Sequence, residues 1–297
     1  MSNRLLAAEK IVVALGGNAL QRGQDVFSLE AMKEALAVVC DVFRDKALVV
    51  VHGNGPQVTA VLKEGMTFSQ AIKITQDKTF ELALEAMNSL GISTSNVELH
   101  NTRVIVDPLS SAFRNPTKPV GPWVNSASEL ESLGHDYIEK NGVYRRVVPS
   151  PEPLEIIDYK AINDSLDNGK IVFAGGGGGV PVNSRDRELN VDAVIDKDRV
   201  AELLRERVKA NLLVILTAVP GYIKDFGSEN ARLILRMKYA DALRLGEDDE
   251  MAGSMGPKLI AAGLAASRGK VAVITDFSGL RKMASNDESS ATIVTLL

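Results

Sequence analysis

Short apolar runs recur along this 297-residue chain, each stopped by a polar or glycine-rich turn and followed by a helix-length pattern. Ile11–Leu15 is the first. Ala47–Val51, Arg103–Val106, Ile171–Ala174, Leu212–Leu216 and Val271–Thr275 repeat the theme. Most are β-branched and apolar at odd and even positions alike. A strand with one wet face alternates, whereas one without alternation is buried on both faces. Between the runs lie segments of helix length, such as Ser28–Arg44 and Asp198–Ala210. Strands alternating with helices close into a parallel sheet covered on both sides. The expected fold is α/β, a three-layer αβα sandwich with a mainly parallel central sheet.

Two stretches break this rhythm. Residues 107–149 hold Pro108, Pro116, Pro119, Pro122 and Pro149 with Gly121, Gly134 and Gly142. That is too irregular for a crossover helix and too long for a plain loop, so a small protruding subdomain is expected. In the second stretch Glu247, Asp248, Asp249 and Glu250 precede a glycine-rich turn and read as a solvated acidic face. The division expected is an N-terminal lobe over residues 1–185, including the protrusion, and a C-terminal lobe over 186–297.

Composition narrows the function. Lys plus Arg is 34 and Asp plus Glu is 38, a net charge of −4, so nothing global draws the chain to nucleic acid or anionic lipid. One cysteine, Cys40, excludes an internal disulfide, and its apolar setting suggests a structural thiol. His52, His100 and His135 lack metal-ligand spacing, so no resident metal site is expected. No apolar run reaches the roughly 20 residues that span a bilayer. Residues 1–10 do not read as a secretory signal. A cytoplasmic enzyme or binding protein is the expectation.

Three glycine turns stand at strand ends, where open α/β sheets bind their ligands. They are Gly16-Gly17-Asn18, then Gly53-Asn54-Gly55 between His52 and Pro56, then Gly175 to Gly179 before Val180-Pro181-Val182. Any one alone reads equally as a tight connector, and five glycines alone as a flexible linker. Three together suggest amide cradles for several negative charges. No Walker loop is present, and neither Gly53-Asn54-Gly55 nor the five-glycine run completes a dinucleotide fingerprint. No nucleophile elbow occurs.

Lys118, Lys197 and Lys258 sit in constrained company: Asn115-Pro116-Thr117-Lys118-Pro119, Ile195-Asp196-Lys197-Asp198 and Gly253-Ser254-Met255-Gly256-Pro257-Lys258. A lysine drawn at random is a solvated surface residue, but proline neighbours hold direction. Fixed ammonium groups and backbone amides are what phosphoryl transfer needs, because charge gathers on the oxygens of the moving group. Asp198 could orient these lysines or ligate Mg²⁺.

These blocks, with Val13–Leu20, Val51–Val58, Ala112–Pro122 and Tyr144–Pro151, follow one another as they do in carbamate kinases, and nearly the whole chain resembles that branch of the amino-acid kinase fold. The resemblance implies reversible transfer between ATP and carbamate, giving ADP and carbamoyl phosphate with Mg²⁺, and running toward ATP in arginine catabolism. It assigns Gly16, Gly17, Asn18, Gly53, Asn54 and Gly55 to the acceptor in the N-terminal lobe. Lys118, Lys197, Asp198 and Lys258 would be catalytic. Gly176, Gly177, Thr217, Tyr222 and Met255, with Lys197 and Lys258, would hold the nucleotide over the C-terminal lobe. It also implies a homodimer.

The sequence departs from the pattern in places. The family's Ser-Gln-Gly-x-Ile-Gly-Tyr stretch has no match where residues 84–92 are expected to correspond, and Thr59 replaces a glycine. Pro220 enters the stretch before Tyr222. Two further readings therefore stand beside a carbamate kinase: a kinase for another small acid, and a catalytically silent protein that binds nucleotide or acyl phosphate.

Overall fold

The computed structural model of the chain describes residues 7–63, 65–248 and 255–297. The strands are β1 (Lys10–Leu15), β2 (Ala47–His52), β3 (Val97–His100), β4 (Arg103–Val106), β5 (Lys118–Val124), β6 (Tyr137–Lys140), β7 (Val143–Val148), β8 (Glu155–Ile156), β9 (Ile171–Ala174) and β10 (Val180–Asn183). They continue with β11 (Leu212–Leu216), β12 (Ile223–Lys224), β13 (Arg232–Leu233), β14 (Arg236–Lys238), β15 (Val271–Thr275) and β16 (Ala291–Thr295). The helices are α1 (Leu29–Val42), α2 (Gly55–Val61), α3 (Phe68–Ser89), α4 (Ala127–Glu131), α5 (Tyr159–Asp167), α6 (Lys197–Arg207), α7 (Tyr239–Gly246), α8 (Gly256–Ser267) and α9 (Phe277–Ala284).

One sheet organises the molecule, in the order β14-β16-β15-β11-β1-β2-β9-β3. Every neighbouring pair in it is parallel except β15 with β16. Successive side chains of a strand point to opposite faces, so each apolar run feeds two cores. On one face Val12, Ala14, Val49, Val51 and Ile215 meet Ile162 of α5, Val200 and Leu204 of α6, and Leu259 and Ala262 of α8. On the other, Ile11, Val13, Val50, Phe173 and Val214 meet Leu36 of α1, Ala83 and Met87 of α3, and Leu280 of α9. The result is the three-layer sandwich. Since β1 pairs with both β2 and β11, residues on either side of position 185 share this sheet.

Two strands lie outside the expected pattern. Arg103–Val106 is a strand, but it belongs to a second sheet of order β10-β4-β8. β3 fills the edge of the main sheet instead. Its alternating Val-Glu-Leu-His pattern suits a place with a single strand neighbour, and only Val97 is fully buried there. β16 returns antiparallel after α9.

The proline-rich excursion holds a three-stranded antiparallel sheet, β5-β7-β6. Little of it is buried; Arg145 lies over the Trp123 ring at 5.7 Å, and Tyr137 meets Tyr144 edge to face. The protrusion roots in a small apolar cluster of its own, in which Val148 and Val120 meet Val58 of α2, Phe68 and Ile72 of α3, and Val194.

Candidate active site

Parallel strands end on the same side of a sheet, so β1, β2, β9, β11 and β15 deliver Gly16, Gly53, Gly175, Thr217 and Asp276 to one edge. The first two glycine turns touch. Gly53 N donates to Leu15 O at 2.8 Å. A Cβ on Gly53 would stand 2.6 Å from Gly17 N and 3.1 Å from Lys197 Cδ, so only glycine admits both neighbours. Gln57 Nε2 donates to Gly17 O and Val26 O and ties the first turn to α2. Asn18 and Gly55 lie exposed at the rim.

The five-glycine run is buried throughout. Gly175, Gly177, Gly178 and Gly179 all have positive φ, and protein fills the place of each missing Cβ. Asn54 Nδ2 would lie 2.0 Å from a Cβ on Gly177, His52 Nε2 2.3 Å from one on Gly176, and Ile195 O 2.1 Å from one on Gly178. The amides of Gly178 and Gly179 close the turn on Gly175 O and Gly176 O, and Thr102 Oγ1 accepts from Gly175 N. The run therefore packs against the second glycine turn and against the segment before Lys197. Glycine allows that three-way approach where a side chain would block it.

One face of α3 completes the wall. Asn54 Nδ2 donates to Thr75 Oγ1 at 2.8 Å, and Gln76 Nε2 donates to Gly176 O at 3.0 Å. The residues of this helix that reach the glycine turns are thus Thr75 and Gln76. The segment 84–92, expected to correspond to the family's missing stretch, lies elsewhere: Ala86 and Met87 sit several turns further along α3, in the core beside α1. Thr59 stands exposed on α2, its hydroxyl donating to Gly55 O.

The structure brings the three lysines together. Asp196 is the N-cap of α6; its Oδ1 accepts from Asp198 N at 2.8 Å and from Arg199 N. Lys197 and Asp198 therefore open the helix with fixed directions. Asp198 is almost wholly buried and divides its carboxylate between two ammonium groups, Lys197 Nζ at 2.5 Å and Lys258 Nζ at 3.0 Å. Lys258 comes from the first turn of α8, where Pro257 sets the start. Lys118, the first residue of β5, reaches in from the protrusion and donates to Asp196 Oδ2 at 2.6 Å. Asp196 is the residue that sequence reasoning left out of the site. Its signal was an aspartate placed just before a helical pattern.

Electrostatics follow from burial and these partners. Burial pushes the Asp196 carboxyl up, but Lys118, then Lys197 and Lys258, outweigh it and hold the group well below the usual carboxylate range. Lys197 is lowered by burial, which its contact with Asp198 only partly offsets. Lys258 is raised, because Asp198 and Asp196 overcome its burial. His52 is depressed to about 4 by burial, with Lys197 adding to the effect, so it is neutral at pH 7 and lies against Gly53 O. Over these three lysines and two aspartates one positive charge remains in excess, in a setting that suits an incoming anion.

Thr217 follows β11, its amide donating to Thr275 O at 2.9 Å. Tyr222 is buried, its amide donating to Thr292 Oγ1. Met255 caps α8. Gly253 and Ser254, like Asp249 and Glu250, lie outside the described residues. Away from the site, His100 Nε2 pairs with Ser165 Oγ, and burial pushes the Cys40 thiol up to about 11. Among the described residues no group of three His, Cys, Asp or Glu side chains could hold a metal. No helix of the described residues is long and apolar enough to cross a membrane.

Three lysines paired with two buried aspartates, beside glycine turns at the carboxyl edge of such a sheet, suit a phosphotransferase site. The model of the amino acid kinase family matches residues 9–276, and the chain belongs to that family. Within it the chain is similar to carbamate kinases. The enzyme of Oenococcus oeni is 37% identical over 284 residues, spanning 86% of this chain and 90% of that one. Carbamate kinase 1 of Enterococcus faecium is 35% identical over 97% of this chain and 99% of its own. The structure of carbamate kinase from Giardia lamblia bound to AMP-PNP superposes with a TM-score of 0.82 at 31% identity, covering 97% of this chain and 99% of that one.

Proposed function

We propose that this chain transfers a phosphoryl group reversibly between ATP and carbamate, forming ADP and carbamoyl phosphate. The observation that carries the reading is the meeting of Lys118, Lys197 and Lys258 around Asp196 and Asp198, with Lys197 against Gly53 of the second glycine turn. In the ATP-forming direction a terminal oxygen of ADP attacks the phosphorus of carbamoyl phosphate. The bond from phosphorus to the carbamate oxygen breaks, and carbamate leaves with that electron pair. No proton need move and no side chain need form a bond. The chain's task is to hold two anions in line and to offset the charge on the moving group.

The acceptor is assigned to the turns at Gly16–Asn18 and Gly53–Gly55, in the N-terminal lobe. The nucleotide is assigned to the edge around Thr217, Tyr222 and Met255, with Gly176 and Gly177 between the two. Asp196 and Asp198 are already taken up by lysines, so these residues do not make a resident magnesium site. Magnesium would come with the nucleotide substrate and offset phosphate charge there. A homodimer working in the cytoplasm, in the ATP-forming direction of arginine catabolism, belongs to the same proposal. The motive for another acceptor was the departure at 84–92, and Ala86 and Met87 of that segment pack in the core away from the glycine turns.

The test is direct. The protein mixed with ADP, Mg²⁺ and carbamoyl phosphate should form ATP well above the blank. Absence of ATP, with ADP binding shown by thermal stabilisation, would overturn the reading.

A further inference from the structure

The two aspartates of the site hold their lysines on unequal terms. Both oxygens of Asp198 are given to ammonium groups, Lys197 on one and Lys258 on the other. Asp196 gives only Oδ2 to Lys118; its Oδ1 takes the amides of Asp198 and Arg199 at the start of α6. If Lys118 departs, Asp196 keeps two backbone donors and the positive end of a helix. If Lys197 or Lys258 departs, Asp198 loses a counter-charge while buried, which is far more costly. An arriving anion therefore competes most easily for Lys118. That side chain is also the most open of the three, 30% exposed against 12% for each of the others.

Lys118 does not move alone, because the protrusion carries it. The segment before α6 supports that protrusion at alternate residues. Asp192 Oδ1 accepts from Phe68 N at 2.7 Å, and the Arg146 guanidinium lies over the Phe68 ring at 5.1 Å. Val194 packs with Val120 and Val148, and its amide donates to Pro149 O at 3.0 Å. Asp192 also faces the Arg146 charge, and Asp196 then adds the direct ion pair with Lys118. Ala193 and Ile195, which lie between these positions, are buried in the core.

We propose that Asp196 is a positioning residue that stations Lys118, and with it the protruding subdomain, beside the glycine turns until the transferring phosphoryl group takes the lysine over. The proposal rests on the phosphotransferase reading. It makes Asp196 both the cap of the helix bearing Lys197 and Asp198 and the counter-ion that the phosphoryl group displaces.

Asp196→Asn isolates the ionic part, since asparagine caps a helix about as well as aspartate. In the ATP-forming assay D196N should lower kcat by about 100-fold, the scale of a misplacement near 1 Å, while KM for carbamoyl phosphate stays level or falls. In a Lys118→Ala background the same change should cost less than about twofold more, because coupled residues are not additive. A KM that rises with kcat intact, or an equal loss with and without Lys118, would overturn the proposal. Hydrogen exchange on the empty proteins separates this from failure of the functional reading. D196N and K118A should each speed amide exchange over residues 118–148, and the double variant should add nothing. Should the wild type form no ATP, unchanged exchange in D196N defeats the positioning role on its own.

Discussion

Replacing Asp198 by alanine lowers ATP formation by about a thousandfold or more and costs the fold about 3–5 kcal/mol, the usual penalty for stripping one partner from a buried ion pair. The reason is geometric. This carboxylate lies between Lys197 Nζ and Lys258 Nζ, and all three groups are nearly removed from water. Without it two ammonium groups repel one another in a low-dielectric setting. Their tips separate, and the charge they should present to the moving phosphoryl group is lost. Loss of one preorganised donor in such a site commonly costs 10²- to 10³-fold, and here two are displaced together. Asp198→Asn separates the effects: an isosteric amide retains more stability than alanine yet still fails to fix both lysines. Thermal melting and the coupled ATP assay on both variants measure this.

Gly178→Ala should be nearly as damaging, although residue 178 carries no side chain. Its φ is +89°, and a Cβ would stand 2.1 Å from Ile195 O and 2.8 Å from Ile195 C. The obstacle is backbone and cannot rotate aside. Conformational strain of roughly 1–3 kcal/mol joins a forced shift of similar size, roughly 1–3 kcal/mol. Ile195 immediately precedes Asp196, so the shift reaches the cap of α6 and the lysines behind it. We expect a loss of about 3 kcal/mol or more in stability with a fall in activity. The control is Gly169→Ala, where φ is also positive but nothing lies within 4 Å; there a loss of about 1 kcal/mol, without a change in rate, is expected. Equal melting temperatures for the two variants would contradict this account.

The five-glycine run shows how far a sequence reaches. Its place at the end of a buried strand was legible from β-branched residues on both sides. Its reason was not. The run reads as an anion cradle, and in the structure its glycines also answer to packing, since His52, Asn54, Ile195 and Val104 fill the space beside four of them. Only three-dimensional packing tells these apart, since either use requires glycine. The lysines were legible for a different cause: proline neighbours and a helix start fix local direction, and local direction is written in neighbouring residues. Their convergence was not, because Lys118 and Asp196 stand 78 positions apart. Asp196 was overlooked for the same reason: its cap role is local, but its ion pair is not. β3 escaped notice because an edge strand with one strand neighbour carries a weaker apolar signal, and β4 was placed in the wrong sheet because pairing partners are not encoded in a strand's own composition. The segment 84–92 was matched to the family's missing stretch by order along the chain alone; in the structure it is Thr75 and Gln76 of α3 that bond to the glycine turns.

The central claim is that ammonium groups from three separate stretches of chain surround one phosphoryl group. A crystal structure of the protein with ADP, Mg²⁺ and a sulfate standing for that group measures this directly. The account predicts Lys118, Lys197 and Lys258 Nζ each within hydrogen-bond distance of the one anion, with Lys118 moved off Asp196. An anion bound elsewhere, with Lys118 still on Asp196 and the other two tips turned from it, would contradict the account.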